Sequence, residues 1–368
     1  MVLNRYIPSY SVVFMKHVVL GISGGVDSAV AGLLLKKAGF RVSAVFMQNW
    51  DSDNTDPFCT ANQDLSDARA VCDLLEIPLE HVNFATEYWD QVFQHCLDEF
   101  ARGRTPNPDV LCNREIKFKV FFDYAMQMGA DYLATGHYAD IKELEGRHYL
   151  AKAIDYNKDQ SYFLYMLNEA VLKKTLFPLA KLHKSEVRQL ALEAGFINSK
   201  KKDSTGICFV GERKFKDFLQ EFLLAQPGKI HSPEGKLIGE HEGLIYYTLG
   251  QRKGLQIGGV KDHKEAAWYV VNKDIPNNVL IVAQGSEHPL LYKKTLMCEQ
   301  LHWISAVPNT RHLMAKIRYR QADQACELRE LSNGQYEVIF SEPQRAVTPG
   351  QSIVFYQDDL CLGGGIII

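Results

Sequence analysis

The eight residues Gly21-Ile22-Ser23-Gly24-Gly25-Val26-Asp27-Ser28 directly follow the apolar run Val18-Val19-Leu20 and directly precede the helix-like stretch Ala29 to Ala38. A strand, a Gly/Ser turn and a helix in that order form a phosphate cradle. Adjacent glycines let main-chain amides approach an anion closely, and the positive end of the following helix favours negative charge there. The pattern predicts a bound nucleotide. A Walker loop would read G-x-x-x-x-G-K-[ST], its lysine reaching the β- and γ-phosphates, but no lysine lies between Gly21 and Lys36. Gly21, Gly24 and Gly25 do not have the G-x-G-x-x-G spacing either.

Strand-like and helix-like patterns alternate from Lys16 to about Leu150. His17 to Gly21, Arg41 to Met47, Glu80 to Phe84 and Asp131 to Thr135 read as strands. Gln63 to Leu75 reads as a helix, with Leu65, Ala68, Val71, Cys72 and Leu75 on one face. This is the pattern of an α/β, doubly wound parallel sheet, which binds ligands at the carboxyl ends of its strands. After about Asp155 come basic helical segments, among them Ser185 to Ala194. From Pro227 onward, short strands are punctuated by Ser232-Pro233-Glu234-Gly235, Pro276-Asn277-Asn278 and Ser332-Asn333-Gly334-Gln335, turn chemistry typical of hairpins. Met314 to Arg320, Tyr336 to Phe340, Ile353 to Tyr356 and Gly365 to Ile368 suit a small β-barrel. The expected organisation is a nucleotide-binding catalytic domain over 1–155, extending to about 220 with a basic helical part over 156–226. A small β-rich domain over 227–300 and a C-terminal β-barrel over 301–368 follow.

The 368 residues exceed one ordinary domain, and 46% hydrophobic with 23% charged residues suits a globular protein without a membrane partner. The first fourteen residues carry one arginine and no acid. A cytoplasmic location is expected, with a mitochondrial transit segment or a start at Met15 as alternatives. A net charge of −3 argues against indiscriminate coating of nucleic acid. Locally, however, Lys173 to Lys216 hold eleven Lys/Arg against four acids, a patch suited to a phosphate backbone or to a solvated helical face.

The eight cysteines, at 59, 72, 96, 112, 208, 298, 326 and 361, include no C-x-x-C pair, so zinc ribbons and cluster-ligand pairs are not expected. Cys112 lies in Thr105-Pro106-Asn107-Pro108-Asp109-Val110-Leu111-Cys112-Asn113-Arg114-Glu115-Ile116-Lys117. With Asp109 as N-cap, Cys112 falls in the first helical turn, where the helix dipole, Arg114 and Lys117 favour the thiolate. An ionised Asp109 would oppose this, so Asp109 reads instead as a proton donor or acceptor. Cys208, in Ser204-Thr205-Gly206-Ile207-Cys208, reads on position alone as a small residue packed under a loop.

The loop at Gly21 to Ser28 resembles the SGGxDS loop of the ATP pyrophosphatase superfamily, whose members split ATP into AMP and pyrophosphate. Asn107-Pro108-Asp109 before Cys112, Thr135-Gly136-His137-Tyr138, Lys158-Asp159-Gln160-Ser161 and Ser204 to Cys208 follow it in order. Together with that loop they resemble the MnmA family of bacterial tRNA-specific 2-thiouridylases, from the first strand to Gly350-Gln351. The resemblance implies ATP bound by Gly21, Ile22, Ser23, Gly24, Gly25, Val26, Asp27, Ser28, Met47 and Gly136, with magnesium on the phosphates near Asp27. It implies that Asn107, Pro108 and Asp109 meet the target base, and that His137, Lys158, Asp159, Gln160, Arg318, Tyr319 and Gln351 touch tRNA.

The same resemblance implies a reaction. ATP adenylates the C2 oxygen of the wobble uridine, and sulfur from a persulfide on Cys208 replaces it, with Cys112 as nucleophile. The two cysteines finish as a Cys112–Cys208 disulfide. The implied partners are wobble-uridine tRNAs such as those for Lys, Glu and Gln, and a sulfur-carrier protein or cysteine desulfurase relay. Alternatives from the residues alone are a nitrogen-transferring ligase with the same adenylating loop, or a tRNA-binding protein with a degenerate nucleotide site.

Overall fold

The computed structural model describes residues 15–50, 61–203, 215–257 and 266–368. Strands β1 (His17–Ile22), β2 (Arg41–Gln48), β3 (Leu79–Asn83) and β4 (Tyr132–Thr135) are followed by the hairpin β5 (Asp140–Leu144) and β6 (Arg147–Ala151), then by the two-residue β7 (Thr175–Leu176). A five-stranded parallel sheet runs in the order β3-β2-β1-β4-β7. Its period-2 alternation feeds two cores. Val18, Leu20 and Ile22 face helices α1 (Val26–Lys37) and α2 (Ala61–Leu75), while Val19 and Leu133 face Ile116 and Phe121 on the other side. Helices cover both faces, so the doubly wound reading holds. Burying each of these aliphatic side chains stabilises the sheet by roughly 1.5–3 kcal/mol.

The order reverses at β1: the chain first builds outward through β2 and β3, then returns to add β4 on the opposite edge. Such a switch point opens a crevice at the carboxyl ends of the two central strands. The glycine loop follows one of them, β1, and Gly136 follows the other, β4.

The middle of the chain forms a four-stranded sheet from β8 (Gly228–His231), β9 (Leu237–His241), β10 (Trp268–Asp274) and β11 (Val279–Gln284), ordered β10-β11-β8-β9. It closes over Ile230, Leu244, Val270, Leu280 and Val282. The turns expected at 232–235 and 276–278 join its two hairpins.

The last third contains β12 (Tyr292–Trp303), β13 (His312–Lys316), β14 (Gln324–Glu330), β15 (Tyr336–Arg345), β16 (Ser352–Gln357) and β17 (Leu360–Ile367). They follow the order β12-β15-β14-β13-β16-β17, and β12 pairs with β17 to close a six-stranded barrel. Two expectations need correction. The strand read over Met314 to Arg320 ends at Lys316, where Gln321 turns back to accept from the Ile317 amide at 2.9 Å, so Arg318 and Tyr319 lie beyond the strand. The alternation read as one parallel sheet to Leu150 breaks earlier: β5 and β6 leave that sheet, and Leu150 pairs antiparallel with Cys361 of the barrel. Hydrophobic period marks a strand but not its partner.

Candidate active site

The glycine loop is a closed turn set on the end of β1. The Ser28 hydroxyl accepts from the Ser23 amide at 3.1 Å and donates to the Gly25 carbonyl at 3.1 Å. Gly24 has φ +71°, and a Cβ there would lie 2.2 Å from the Asp64 carbonyl oxygen of α2, so the position needs glycine twice over. α1 opens at Gly25 with no side chain capping it, which leaves the amides of its first turn for an anion. Gly136 closes the far wall. A Cβ on it would fall 2.7 Å from the Ser28 nitrogen, so the backbone after β4 lies directly against the loop. The Met47 side chain packs beside Gly21, whose Cβ would be 3.3 Å from the Met47 methyl, on the same face as Phe121. These residues fit a nucleotide polyphosphate.

A lysine from a later segment reaches the loop. Lys184, the first residue of the helix Lys184–Glu193, places Nζ 2.7 and 2.8 Å from the two carboxylate oxygens of Asp27 and 2.7 Å from Asp203. The Tyr138 hydroxyl donates to Asp27 at 2.9 Å. Both oxygens of Asp27 are therefore engaged, and a magnesium ion there would have to displace Lys184. Asn198 donates to the Gly24 carbonyl at 2.9 Å. Lys201 also reaches it, at 3.3 Å, and binds Asp64 and Asp67.

Much of the basic run from Lys173 to Lys216 is engaged in ion pairs, Lys184 and Lys201 beside the glycine loop and others at the surface. Lys173 pairs with Glu169, Lys181 with Asp140, Arg188 with Asp203 and Lys216 with Glu242. A count along the chain shows the charge excess but not this pairing, which draws on Asp140 and Glu242 from outside the run as well as on Asp203 within it.

The residues around Cys112 form a helix of changing pitch. Asn107, not Asp109, is the N-cap: its Oδ1 accepts from the Val110 amide at 3.3 Å, with Pro108 in the first turn. Cys112 therefore sits one position beyond the short helix Pro108–Leu111 and begins a π-helix, Cys112–Val120. That moves it past the first turn, where the dipole acts most strongly. Cys112 is buried at 8% exposure, and burial pushes its thiol up. Lys117 opposes that rise and Asp109 adds to it. The expected thiolate is replaced by a resting thiol. Arg114, expected to help, pairs with Glu115 instead. Asp109 remains accessible to solvent but is crowded by protein, which holds its carboxyl above the usual range against the pull of Lys117.

Other residues selected from sequence have places inside the fold. His137 is buried, with Nδ1 2.7 Å from the Thr135 hydroxyl and its ring against Phe118 and Phe177, and burial keeps it neutral. Asp159 accepts from the amides of Ala153 and Ser161, and Gln160 accepts from the Tyr138 amide. Lys158 pairs with Asp203 at 2.5 Å, and Tyr319 donates to the Lys158 carbonyl at 3.2 Å. Lys158 and Tyr319 line a cleft of about 290 Å³ with Lys316 and Arg320. Arg318 donates to the carbonyls of Leu249 and Ala346, joining the middle sheet to the barrel. Gln351 donates to the carbonyls of Thr105 and Pro106, so the barrel grips the segment leading into Asn107. Cys208 lies outside the described residues.

Residues 16–212 match the family described as tRNA methyl transferase HUP domain, 216–284 its PRC-barrel domain and 293–367 the aminomethyltransferase beta-barrel domain. A tRNA-specific 2-thiouridylase MnmA of Coxiella burnetii (strain CbuK_Q154) is 60% identical over 352 residues, covering 95% of each chain. The chain belongs to the MnmA family. Its relative of the same name in Methylococcus capsulatus is 57% identical over 95% of this chain and 96% of that one, and the one in Francisella tularensis subsp. novicida 56% over 96% and 99%. Among solved structures, a 4-thiouridine synthetase–RNA complex with bound ATP covers 56% of this chain and 49% of that one at 20% identity and a TM-score of 0.37, too slight a likeness to bear on function.

In this MnmA-family chain the sequence reading missed Lys184, Asn198, Lys201 and Asp203. The available signal was the capping pattern of the helix Lys184–Glu193, in which Glu186 accepts from the His183 amide at 2.7 Å and so sets Lys184 at the helix start. Nothing in the linear order ties that helix to a loop more than a hundred and fifty residues earlier. Among the described residues no helix is long and apolar enough to cross a membrane, and no group of three or more His, Cys, Asp or Glu side chains is placed to hold a metal ion.

Proposed function

We propose that the chain binds ATP at Gly21 to Ser28 and uses it to adenylate the C2 oxygen of a wobble uridine in tRNA, then replaces that oxygen with sulfur. The observation that carries this reading is the placement of a phosphate cradle and a thiol–carboxylate pair at one end of one parallel sheet. Phe121 packs against Gly21 at the end of β1 and Phe118 against His137 after β4, so the first half of that helix, with Asp109 and Cys112, projects beyond the carboxyl ends of the strands. The full-length relatives named as thiouridylases support it, and the domain descriptions that mention methyl transfer label the fold.

In this reading the uridine oxygen attacks the α-phosphate and pyrophosphate leaves, which converts a poor leaving group into AMP. Cys208 carries the incoming sulfur as a persulfide. Either its terminal sulfur attacks C2 directly, or Cys112 first attacks Cys208 and frees hydrosulfide. Both routes expel AMP and leave a Cys112–Cys208 disulfide, which a two-electron thiol reductant reopens. Asn107 to Asp109 hold the base once it is unstacked, since C2 is not reachable in a stacked uridine. In the cleft lined by Lys158, Lys316, Tyr319 and Arg320, the exposed Arg320 offers a cation to the tRNA backbone.

The test is thiolation of a tRNA transcript with ATP and a persulfide sulfur donor, with the modified nucleoside located by mass spectrometry. Sulfur at C2 of the wobble uridine with stoichiometric AMP is expected. Nitrogen transfer, or no tRNA-dependent release of pyrophosphate, would overturn the reading.

A further inference from the structure

The helix bearing Cys112 holds a cation that the fold does not use. Lys117 is half-buried, and among the described residues it has neither a hydrogen bond nor an ion pair. Its neighbours Arg114 and Lys119 both pair with Glu115. A lysine on a helix of this charge density normally finds a carboxylate three or four positions away. The π-helical pitch explains where Lys117 goes instead. In an α-helix of 3.6 residues per turn, a residue five positions on points roughly 140° away from the first. Here the ladder is i to i+5, as in the bond from the Phe121 amide to the Ile116 carbonyl, and a residue five positions on falls only about 50° past one full turn. The π stretch thereby puts Lys117 on the same face of the helix as Cys112. One α-helical turn before Cys112, on the same side, lies Asp109.

We propose that Lys117 is a positioning residue, the counter-cation that lets Asp109 and Cys112 carry one negative charge on either member of the pair. Two acidic groups and one cation share a crowded site in which the Cys112 thiol itself is shut off from water, and there an unbalanced charge is costly. Moving the proton from the Cys112 sulfur to the Asp109 carboxylate breaks one S–H bond and forms one O–H bond. The sum of charges over the three residues is unchanged. A buried thiol can then become a nucleophile at the moment it is needed while resting as the inert form.

The charged groups acting on the Cys112 thiol are Lys117 and Asp109, and the charge of Lys117 is felt at Cys112, Asp109 and His137 alike. From the surrounding elements come Cys96, whose thiol burial pushes up to about 12, neutral His137, and the buried phenols of Tyr88 and Tyr162. Glu87 is half-buried, and Asp90 and Asp123 are exposed.

The inference deepens the thiolation reading, but its test does not depend on thiolation. Alkylation of Cys112 by iodoacetamide is followed by peptide mass spectrometry against pH, in the full chain without tRNA or ATP. Lys117→Met is expected to slow Cys112 alkylation about tenfold at pH 8 and to shift its midpoint upward by about one pH unit. Lys117→Arg should restore the rate to within about threefold, which a merely structural role would not predict. Asp109→Asn should move the midpoint downward. Unlabelled Cys298 reports that each variant is folded, and where Lys117→Met is not, Lys117→Gln gives the same reading. A wild-type midpoint in Lys117→Met or Lys117→Gln, or an unmoved midpoint in Asp109→Asn, overturns the proposal. Failure of tRNA thiolation by the wild-type chain would overturn the functional reading alone.

Discussion

Lys184 holds both carboxylate oxygens of Asp27, at 2.7 and 2.8 Å, although 157 residues separate the two in sequence. The loop after β1 is thus tied down by a lysine from a helix that joins the sheet's outer layer much later in the chain. Lys184 also binds Asp203, so one ammonium links the phosphate loop to the residue directly preceding Ser204.

Replacing Lys184 with methionine leaves Asp27 and Asp203 without their shared cation. ATP-dependent, tRNA-stimulated release of pyrophosphate should fall at least about tenfold, and the melting temperature should drop by a few degrees. A rate equal to wild type would mean that the contact serves stability alone.

Gly136→Ala should be severe for a residue that makes no hydrogen bond of its own. The added Cβ would meet the Ser28 nitrogen at 2.7 Å and the Asp27 carbonyl carbon at 2.9 Å, both backbone atoms that yield only if the first turn of α1 moves. A cost of about 1–3 kcal/mol and a large rise in the KM for ATP are expected. Gly239→Ala is the control, since its Cβ meets nothing within 4 Å; equal effects of the two would show that loop packing is not what matters.

Asp203 gives acid sensitivity. Burial works against its ionisation, but hydrogen bonds from Lys158 and Lys184 prevail and hold its carboxyl down to about 2, against 3.8 for a free one. A depressed carboxyl stabilises the fold above its unfolded value, and that contribution is lost as pH falls from about 4 towards 2. With the side chain 30% exposed, screening limits the effect to about 1 kcal/mol. In urea titrations Asp203→Asn should be less stable than wild type at pH 6, with the gap closing near pH 2. A gap independent of pH would show that charge is not its origin.

Cysteine substitutions separate chemistry from packing. Cys112→Ser and Cys208→Ser should each lower 2-thiouridine formation at least about a hundredfold. Cys298→Ser should retain it, because Cys298 is buried in the barrel with its thiol pushed up to about 12 and touches no site residue named above. Quantitative nucleoside mass spectrometry decides, and substantial product from either of the first two variants would exclude the two-thiol mechanism.

Much of this was legible along the chain because it depends on short-range order. The alternation of Val18, Val19, Leu20 and Ile22 between two cores, the glycines at 21, 24 and 25, and the Asn- and Gly-bearing turns at 276–278 and 332–335 each follow from a few adjacent residues. The helix around Cys112 was read correctly as a helix but with the wrong cap: Asn107 and Asp109 are both good capping residues, and Pro108 favours the first turn after Asn107. No local pattern announces a π-helix, so the position of Lys117 relative to Cys112 was not readable.

The sequence by itself determined the strand–loop–helix cradle, the parallel sheet around it and the two β-rich units that follow, since backbone propensity and hydrophobic period act over neighbouring residues. Only the tertiary structure decided where charge goes. It paired part of a basic run with carboxylates such as Asp140 and Glu242, brought Lys184 to Asp27, used Arg318 and Gln351 to join the barrel to its neighbours, and buried Cys112 as a thiol. Charge pairing and desolvation depend on distance in space, and folding sets that distance between residues that linear order leaves far apart.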